Sequence, residues 1–526
     1  LLSRRQRQMC IRDRWRNGPL QDIALEQMAA MKKFHELDIP HSGFYAEGAG
    51  ATFFGEYKKE ELYKVVSFGE RHGFKVFSWQ FPNMTQELAQ ELLPECPKEE
   101  LPITRNENDE EEKLPVYIDF SHPRAKELLA AQWKDRLDAG IRGSMVDFGD
   151  VVPDEAVFYD GRHGDEMHNA YAYQYAKNYR ELFEQKYGDD HVLYTRGAAP
   201  GSQHFACQFG GDQLTSFQGL KYAIAGGLSA AASGLPFWGV DAGGYDGFPD
   251  QETYLRWTEY AAFCPLMRFH GTEPREPWEY DAFTVKVYRY YAWLRENLRP
   301  YIVSVAAEAH KLGIPMMRPL AMIYPEDQEA TKVWDEYLFG ENLLVAPVSD
   351  ETEEREIYFP KGRWISLWNL NDEISGPVQR SVEVPIDKIP VYVREGSFLP
   401  LRLNESLKLG ESMSESETEM ILAVVPQNDS IVKETLYERS GAKTCCGMEK
   451  NGETIQLQIS GRTAELYVML AGIHWKNTEA IVNGRTLTKV TAREGLYFTE
   501  GYLELEEGIL VKINPSAESV IKIQKK

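Results

Sequence analysis

From Leu20 to about Ser304, stretches with apolar residues at helical spacing alternate with short runs rich in Val, Ile, Phe and Tyr. That rhythm predicts β-α units around a parallel sheet. Seven strands are predicted, at Pro40–Tyr45, Phe74–Trp79, Ile141–Asp147, His191–Arg196, His204–Phe209, Pro236–Asp241 and Pro265–Phe269. An eight-stranded barrel runs to about 250 residues, so count and length together predict an α/β fold, a (β/α)8 TIM barrel whose first strand is missing or unrecognised. Beyond Gly313 the pattern changes to short alternating runs such as Leu343–Val348, Glu356–Phe359, Val391–Val393 and Ile455–Ile459, broken by Gly, Pro, Asn and Asp. This predicts antiparallel β structure. A charged, Ser-rich stretch from Asn404 to Glu419 divides it into two pieces, each near β-sandwich size. The expected organisation is a barrel over 15–314, a proximal β-sandwich over 315–403 and a distal one over 404–526.

Composition narrows the function. Lys and Arg number 58 against 81 Asp and Glu, a net charge of −23 over 526 residues. Such a surface repels phosphate backbones and anionic lipid heads, so neither nucleic acid nor membrane is an expected partner. Six scattered cysteines without Cys-x-x-Cys spacing suggest neither a zinc site nor a disulfide framework. The acidic stretch Asn106–Glu112 reads as a solvated loop. Residues 1–14 lack a starting Met and are strongly basic in an acidic chain, and they are expected to be a non-native tail on a chain shortened at its start. The expected location is the cytoplasm; a leader lost with the native start would instead mean secretion.

Catalytic groups of α/β barrels come from the carboxyl ends of the strands. The run Gly143-Ser144-Met145-Val146-Asp147-Phe148-Gly149-Asp150 drives a strand into a carboxylate, and Phe209-Gly210-Gly211-Asp212 places another after a double glycine. Each alone is also what a turn looks like. Together they fit glycoside hydrolysis, which needs one ionised and one protonated carboxyl group flanking the scissile bond. Arg196, closing a strand between them, suits holding a carboxylate ionised, or a plain structural ion pair. Trp79, Phe148, Phe209 and Trp238 lie at strand ends, where aromatics offer faces to a sugar ring or simply fill the core.

These residues resemble family 31 of the glycoside hydrolases, retaining enzymes acting on α-glucosides, α-xylosides and related sugars. The likeness covers nearly the whole chain after residue 14. The nucleophile block resembles Met145–Asp150 and the acid/base block resembles Gly201–Asp212; Tyr194–Arg196, Ser233–Gly244, Pro265–Gly271, Arg275-Glu276-Pro277-Trp278, Met317–Leu320, Leu343–Val348 and Ile389–Ser397 follow in the family's order. The resemblance implies a barrel followed by two β-sandwich domains, with Asp147 as nucleophile and Asp212 as acid/base. It further implies Glu47, Trp79, Arg196, Asp241 and His270 around the innermost sugar, joined by the aromatic candidates Phe209 and Trp238. Asp241 has a second reading, orienting Arg256 or Arg268 from behind.

Departures from the family pattern bear on substrate. Met145 stands where α-xylosidases resemble one another in having Lys, and a thioether donates no hydrogen bond to a hydroxyl. Phe209 replaces a usual Trp, His204 a usual Lys or Arg, and Glu47 a usual Asp. The expected activity is release of a terminal α-glucose or related α-hexose or α-xylose through a covalent glycosyl-enzyme, from an oligosaccharide or small α-glycoside, with no metal or organic cofactor. An apolar Met145 beneath the nucleophile favours a hexose over a pentose. The competing readings are an α-transglycosylase and a non-catalytic glycan-binding scaffold.

Overall fold

A computed structural model describes residues 7–8, 20–46, 59–106, 116–414, 419–428, 430–462 and 464–526. The chain divides into two compact units, one of residues 3–254 with 266–281 and the other of 255–265 with 282–526.

The first unit is the barrel. Its strands are β1 (Gly43–Tyr45), β2 (Lys75–Gln80), β3 (Gly143–Val146), β4 (Val192–Thr195), β5 (Cys207–Phe209), β6 (Trp238–Asp241) and β7 (Leu266–Arg268), paired in parallel and in chain order. Each falls inside one of the seven predicted runs or overlaps it. The eighth position in the sheet is held by the two residues Arg7–Gln8, parallel to β1, within the stretch expected to be a tail; the rest of 1–14 lies outside the described residues. So does the acidic stretch apart from Asn106.

Period-two alternation decides what faces the barrel interior. Phe77 of β2 fills it at a level where both neighbouring strands carry glycine, for a Cβ built on Gly43 or Gly143 would run into its ring. Helices cover the outside with stripes at the matching period. In α1 (Lys59–Arg71), Leu62, Val65, Val66 and Gly69 are buried. In α2 (Gly164–Tyr187) the stripe is Met167, Tyr171, Tyr175, Tyr179 and Phe183, one residue every turn. Tyr175 also reaches the end of β2, donating to the Gln80 carbonyl at 3.3 Å. The helix matters to chemistry because β2 and β3 carry the site.

The second unit is mostly β. Helices α3 (Ala282–Asn297) and α4 (Arg299–Leu312), the last of the expected barrel segment, also hydrogen-bond to strands of this unit. Tyr301 donates to the Phe339 carbonyl at 2.6 Å, Asn297 to Arg402 at 3.0 Å, and Ser304 accepts from the Tyr437 amide at 3.0 Å. The proximal part is one six-stranded antiparallel sheet over Met317–Arg394, whose 13-residue strand Glu354–Ser366 shifts register between Phe359 and Gly362. The distal part is a sandwich of a five- and a six-stranded sheet around a shared core including Phe398, Leu422, Leu457, Val511 and Ile521. Strand Ser397–Leu403 pairs with Glu419–Val425 in that sandwich, so the expected boundary after residue 403 falls inside one sheet. Residues 404–414 of the charged stretch follow a strand of the distal sheet rather than separating two domains. No helix among the described residues is long and apolar enough to cross a membrane.

Candidate active site

Asp147 follows the last residue of β3, and its backbone amide still pairs with the Gln80 carbonyl of β2 at 2.8 Å. The ladder therefore fixes where the carboxylate starts. The residue is 5% exposed. Trp79 Nε1 donates to one oxygen at 3.0 Å and the Phe148 amide to the other at 2.9 Å. That second bond comes with backbone strain, since Phe148 sits at φ 57°, a left-handed conformation costing about 1–3 kcal/mol in a bulky residue.

Arg196 stands 3.8 Å from Asp147 through Nε, and holds Asp150 with Nε and Nη2, both at 3.3 Å. Its guanidinium lies 4.3 Å from the centre of the Phe148 ring. One cation is thus shared between two carboxylates and stacked on an aromatic face. Burial pushes the Asp147 carboxyl above its ordinary range; Arg196, the Trp79 indole and the Phe148 amide oppose that, and the Asp212 charge adds to it. Asp212 acts on both Asp147 and Arg196, and is itself exposed. Gly211, at φ 78°, lets the chain pass over Arg196: a Cβ there would lie 3.0 Å from the arginine Cδ.

Below this layer lies a second. Arg268 and Asp241, both fully buried, form an ion pair across β6 and β7, and Arg268 Nη1 is 3.1 Å from Met145 Sδ. The same guanidinium covers Phe209 at 4.3 Å and Tyr194 at 4.8 Å. Asp241 pairs with Arg268, one of the two arginines expected beside it. Arg256, itself in the second unit, is engaged there with Glu259 at 3.1 Å and the carbonyls of Val384, Pro385 and Lys388.

His270, 3% exposed, sits against Tyr245 and Tyr45 at 5.1 and 5.7 Å between ring centres. Two expected aromatics stand elsewhere than a sugar face requires. Phe209 is 2% exposed and capped by Arg268. Trp238 opens β6 three residues before Asp241, which by alternation puts it on the opposite face; its indole packs on Gly227 of helix α5 (Phe217–Ala232), where a Cβ would come within 2.7 Å of Nε1. Met145, expected to offer apolar surface to a hexose, is 2% exposed and occupied by Arg268. Glu47 lies outside the described residues. Asp150, which closes the nucleophile block, joins the site with no role expected of it, and Arg268 is the one of the two expected arginines that Asp241 meets. No grouping of three or more His, Cys, Asp or Glu suited to a metal occurs among the described residues.

Comparison with known proteins bears on the fold and the family. The family profile described as the glycosyl hydrolases family 31 TIM-barrel domain matches residues 22–305, and that of the family's C-terminal domain matches 313–399. An isomaltosyltransferase of Sporosarcina globispora is 32% identical over 430 residues, covering 77% of this chain and 39% of that protein. An α-xylosidase of Saccharolobus solfataricus is 36% identical over 235 residues, 43% of this chain and 31% of the relative. The matched stretches thus span well under half of these relatives. Among solved structures, a cycloalternan-forming enzyme of Listeria monocytogenes in complex with a pentasaccharide superposes over the whole chain and 54% of its own, with TM-score 0.87 and 22% identity, a likeness of fold.

Proposed function

This chain belongs to glycoside hydrolase family 31, and we propose that it cleaves terminal α-glucosidic bonds with retention, Asp147 attacking the anomeric carbon and Asp212 serving as acid and then base. The observation that carries the reading is the grouping of Asp147, Arg196 and Asp212 at the strand ends, one carboxyl buried and the other exposed, both acting on one guanidinium. A nucleophile must be anionic at working pH, and burial works against that. Arg196 and two hydrogen bonds oppose the burial. Asp212, in contact with water, exchanges its proton readily, which suits a group that first protonates a leaving oxygen and then takes a proton from water.

A second reading, transfer of the glycosyl group to a sugar acceptor, is favoured by the isomaltosyltransferase relative that matches 77% of this chain. Both readings share the glycosyl-enzyme and differ in what resolves it. The test is incubation with an activated 2-deoxy-2-fluoro or 5-fluoro α-glucoside, followed by peptide mass mapping. A glycosyl adduct on the Asp147 peptide is expected, and its absence in an enzyme that turns over aryl α-glucosides would overturn the assignment. Products formed with and without added isomaltose then separate hydrolysis from transfer.

A further inference from the structure

We propose that Arg275 is a positioning residue for the acid/base step, gathering main-chain carbonyls of loop 242–249 so that this loop holds the backbone carrying Asp212. The proposal rests on the role given to Asp212 above. Arg275 is 1% exposed, and six hydrogen bonds run from its guanidinium to carbonyl oxygens. Nε and Nη2 reach Gly244 at 3.1 and 2.9 Å, Nη2 reaches Tyr245 at 3.2 Å and Gly247 at 2.6 Å, and Nη1 reaches Glu273 at 2.9 Å and Pro274 at 3.1 Å. Only a planar fork of five donors meets acceptors in so many directions; an ammonium has three donors on one atom. The space is closed as well. A Cβ on Gly271, the residue after His270, would fall 2.5 Å from the Arg275 Cζ.

The gathered loop is pressed against the segment that follows Asp212. Tyr245 N donates to the carbonyl of Gln213, the next residue after Asp212, at 2.8 Å. Thr215 Oγ1 donates to Asp246 O at 2.6 Å, and Leu214 bridges Asp246 in parallel. A Cβ on Gly244 would lie 2.5 Å from the Thr215 Cα, so the two backbones touch with no room for a methyl group. Behind the loop, Thr272 N donates to Tyr245 O at 2.7 Å and Thr272 Oγ1 accepts from Gly247 N at 2.9 Å. At its far end the segment is anchored by Ser216, which caps helix α5 by accepting from Gly219 N at 3.1 Å. The backbone from which the Asp212 side chain projects is therefore held by this loop. A displacement of about 1 Å in a proton donor costs up to about 100-fold in rate.

The test compares the parent with Arg275→Lys, Thr272→Ala and Asp212→Ala on aryl α-glucosides of graded leaving-group pKa and on α-glucosyl fluoride, whose leaving group needs no protonation. Arg275→Lys is expected to lower kcat/KM on phenyl α-glucoside by about 10- to 100-fold. On the fluoride kcat/KM, which reports only the steps up to the glycosyl-enzyme, should stay within about threefold of the parent. Thr272→Ala should show the same contrast more weakly, and it decides the matter if circular dichroism shows Arg275→Lys unfolded. Equal losses on both substrates, or none on either, overturn the proposal. If Asp212→Ala keeps the contrast while the Arg275 and Thr272 variants lack it, this inference alone fails. If Asp212→Ala lacks the contrast, the acid/base assignment falls and takes this proposal with it.

Discussion

Asp147 is held by forces that disagree about its charge, and each can be removed separately. Burial favours the neutral acid, so the folded carboxyl titrates above its unfolded value. For an acid shifted that way, stability is fully present below the unfolded pKa and is lost as pH rises through the folded one. Asp147→Asn, with no charge to bury, should therefore raise the denaturation midpoint at pH 7 while abolishing turnover, and the stability gap should close as pH falls toward the ordinary carboxylate range. A chemical-denaturation series from pH 4 to 8 measures it. Arg196→Gln acts in the opposite sense on the nucleophile, since it removes the cation that opposes burial. The acidic limb of kcat/KM should move to higher pH in that variant; a limb that stays put would separate Arg196 from Asp147 electrostatically. Met145→Lys, a natural route toward an α-xylosidase-like residue, would place an ammonium against the Arg268 guanidinium, where Asp241 already serves one cation. Loss of stability on the order of 3 kcal/mol is expected, in the range for an uncompensated buried charge, ahead of any change in sugar preference. A thermal shift series on the purified variant checks it.

At the scale of elements, the barrel was legible because each strand is a short apolar run closed by a polar or turn residue, and those closures are where the chemistry sits: Asp147, Arg196 and Asp241 all mark strand ends. What composition along the chain does not carry is which way a side chain points, and alternation within the strand had to be counted residue by residue. Trp238 and Asp241, three apart on β6, cannot face the same side. The partner of a buried charge is equally invisible, because Arg268 meets Asp241 only when β6 and β7 align. Nor does a charged stretch announce whether it links domains or caps a hairpin, as strand Ser397–Leu403 shows by pairing across it. The element-level expectation concerns the glycines around Phe77. A Cβ on Gly143 would meet both the Val192 carbonyl and the Phe77 ring, so Gly143→Ala should cost about 1–3 kcal/mol by overpacking. Gly143→Ala combined with Phe77→Leu should recover part of it, and a double-mutant cycle by urea unfolding measures the coupling.

Across the whole molecule, acid groups outnumber bases by 23 charges, and some carboxyls are also folded into the interior. Burial pushes Glu336 up to about 8, Glu434 to about 7 and Glu276 to about 7. Glu336 accepts from the Tyr358 amide at 3.1 Å, while Glu434 accepts from Asn342 Nδ2 at 3.2 Å and the Phe398 amide at 3.3 Å. These bonds fix the carboxyls in place but leave the charged form short of solvation. The sign follows as for Asp147: with folded values above unfolded ones, the stability these groups contribute is complete below about pH 4.3 and is lost as pH climbs to 7–8. Within that window each such group costs about 1.4 kcal/mol per pH unit. Self-repulsion among surface carboxylates adds to the loss on the alkaline side and is screened by salt, whereas the buried groups are not. The chain should therefore unfold at a lower temperature at pH 8.5 than at pH 6, and 0.5 M NaCl should restore only part of the difference. Glu336→Gln and Glu434→Gln should flatten what salt leaves behind. Calorimetric scans of the parent and both variants across pH 6–8.5 at two salt concentrations decide it, and full restoration by salt alone would assign the pH dependence to the surface.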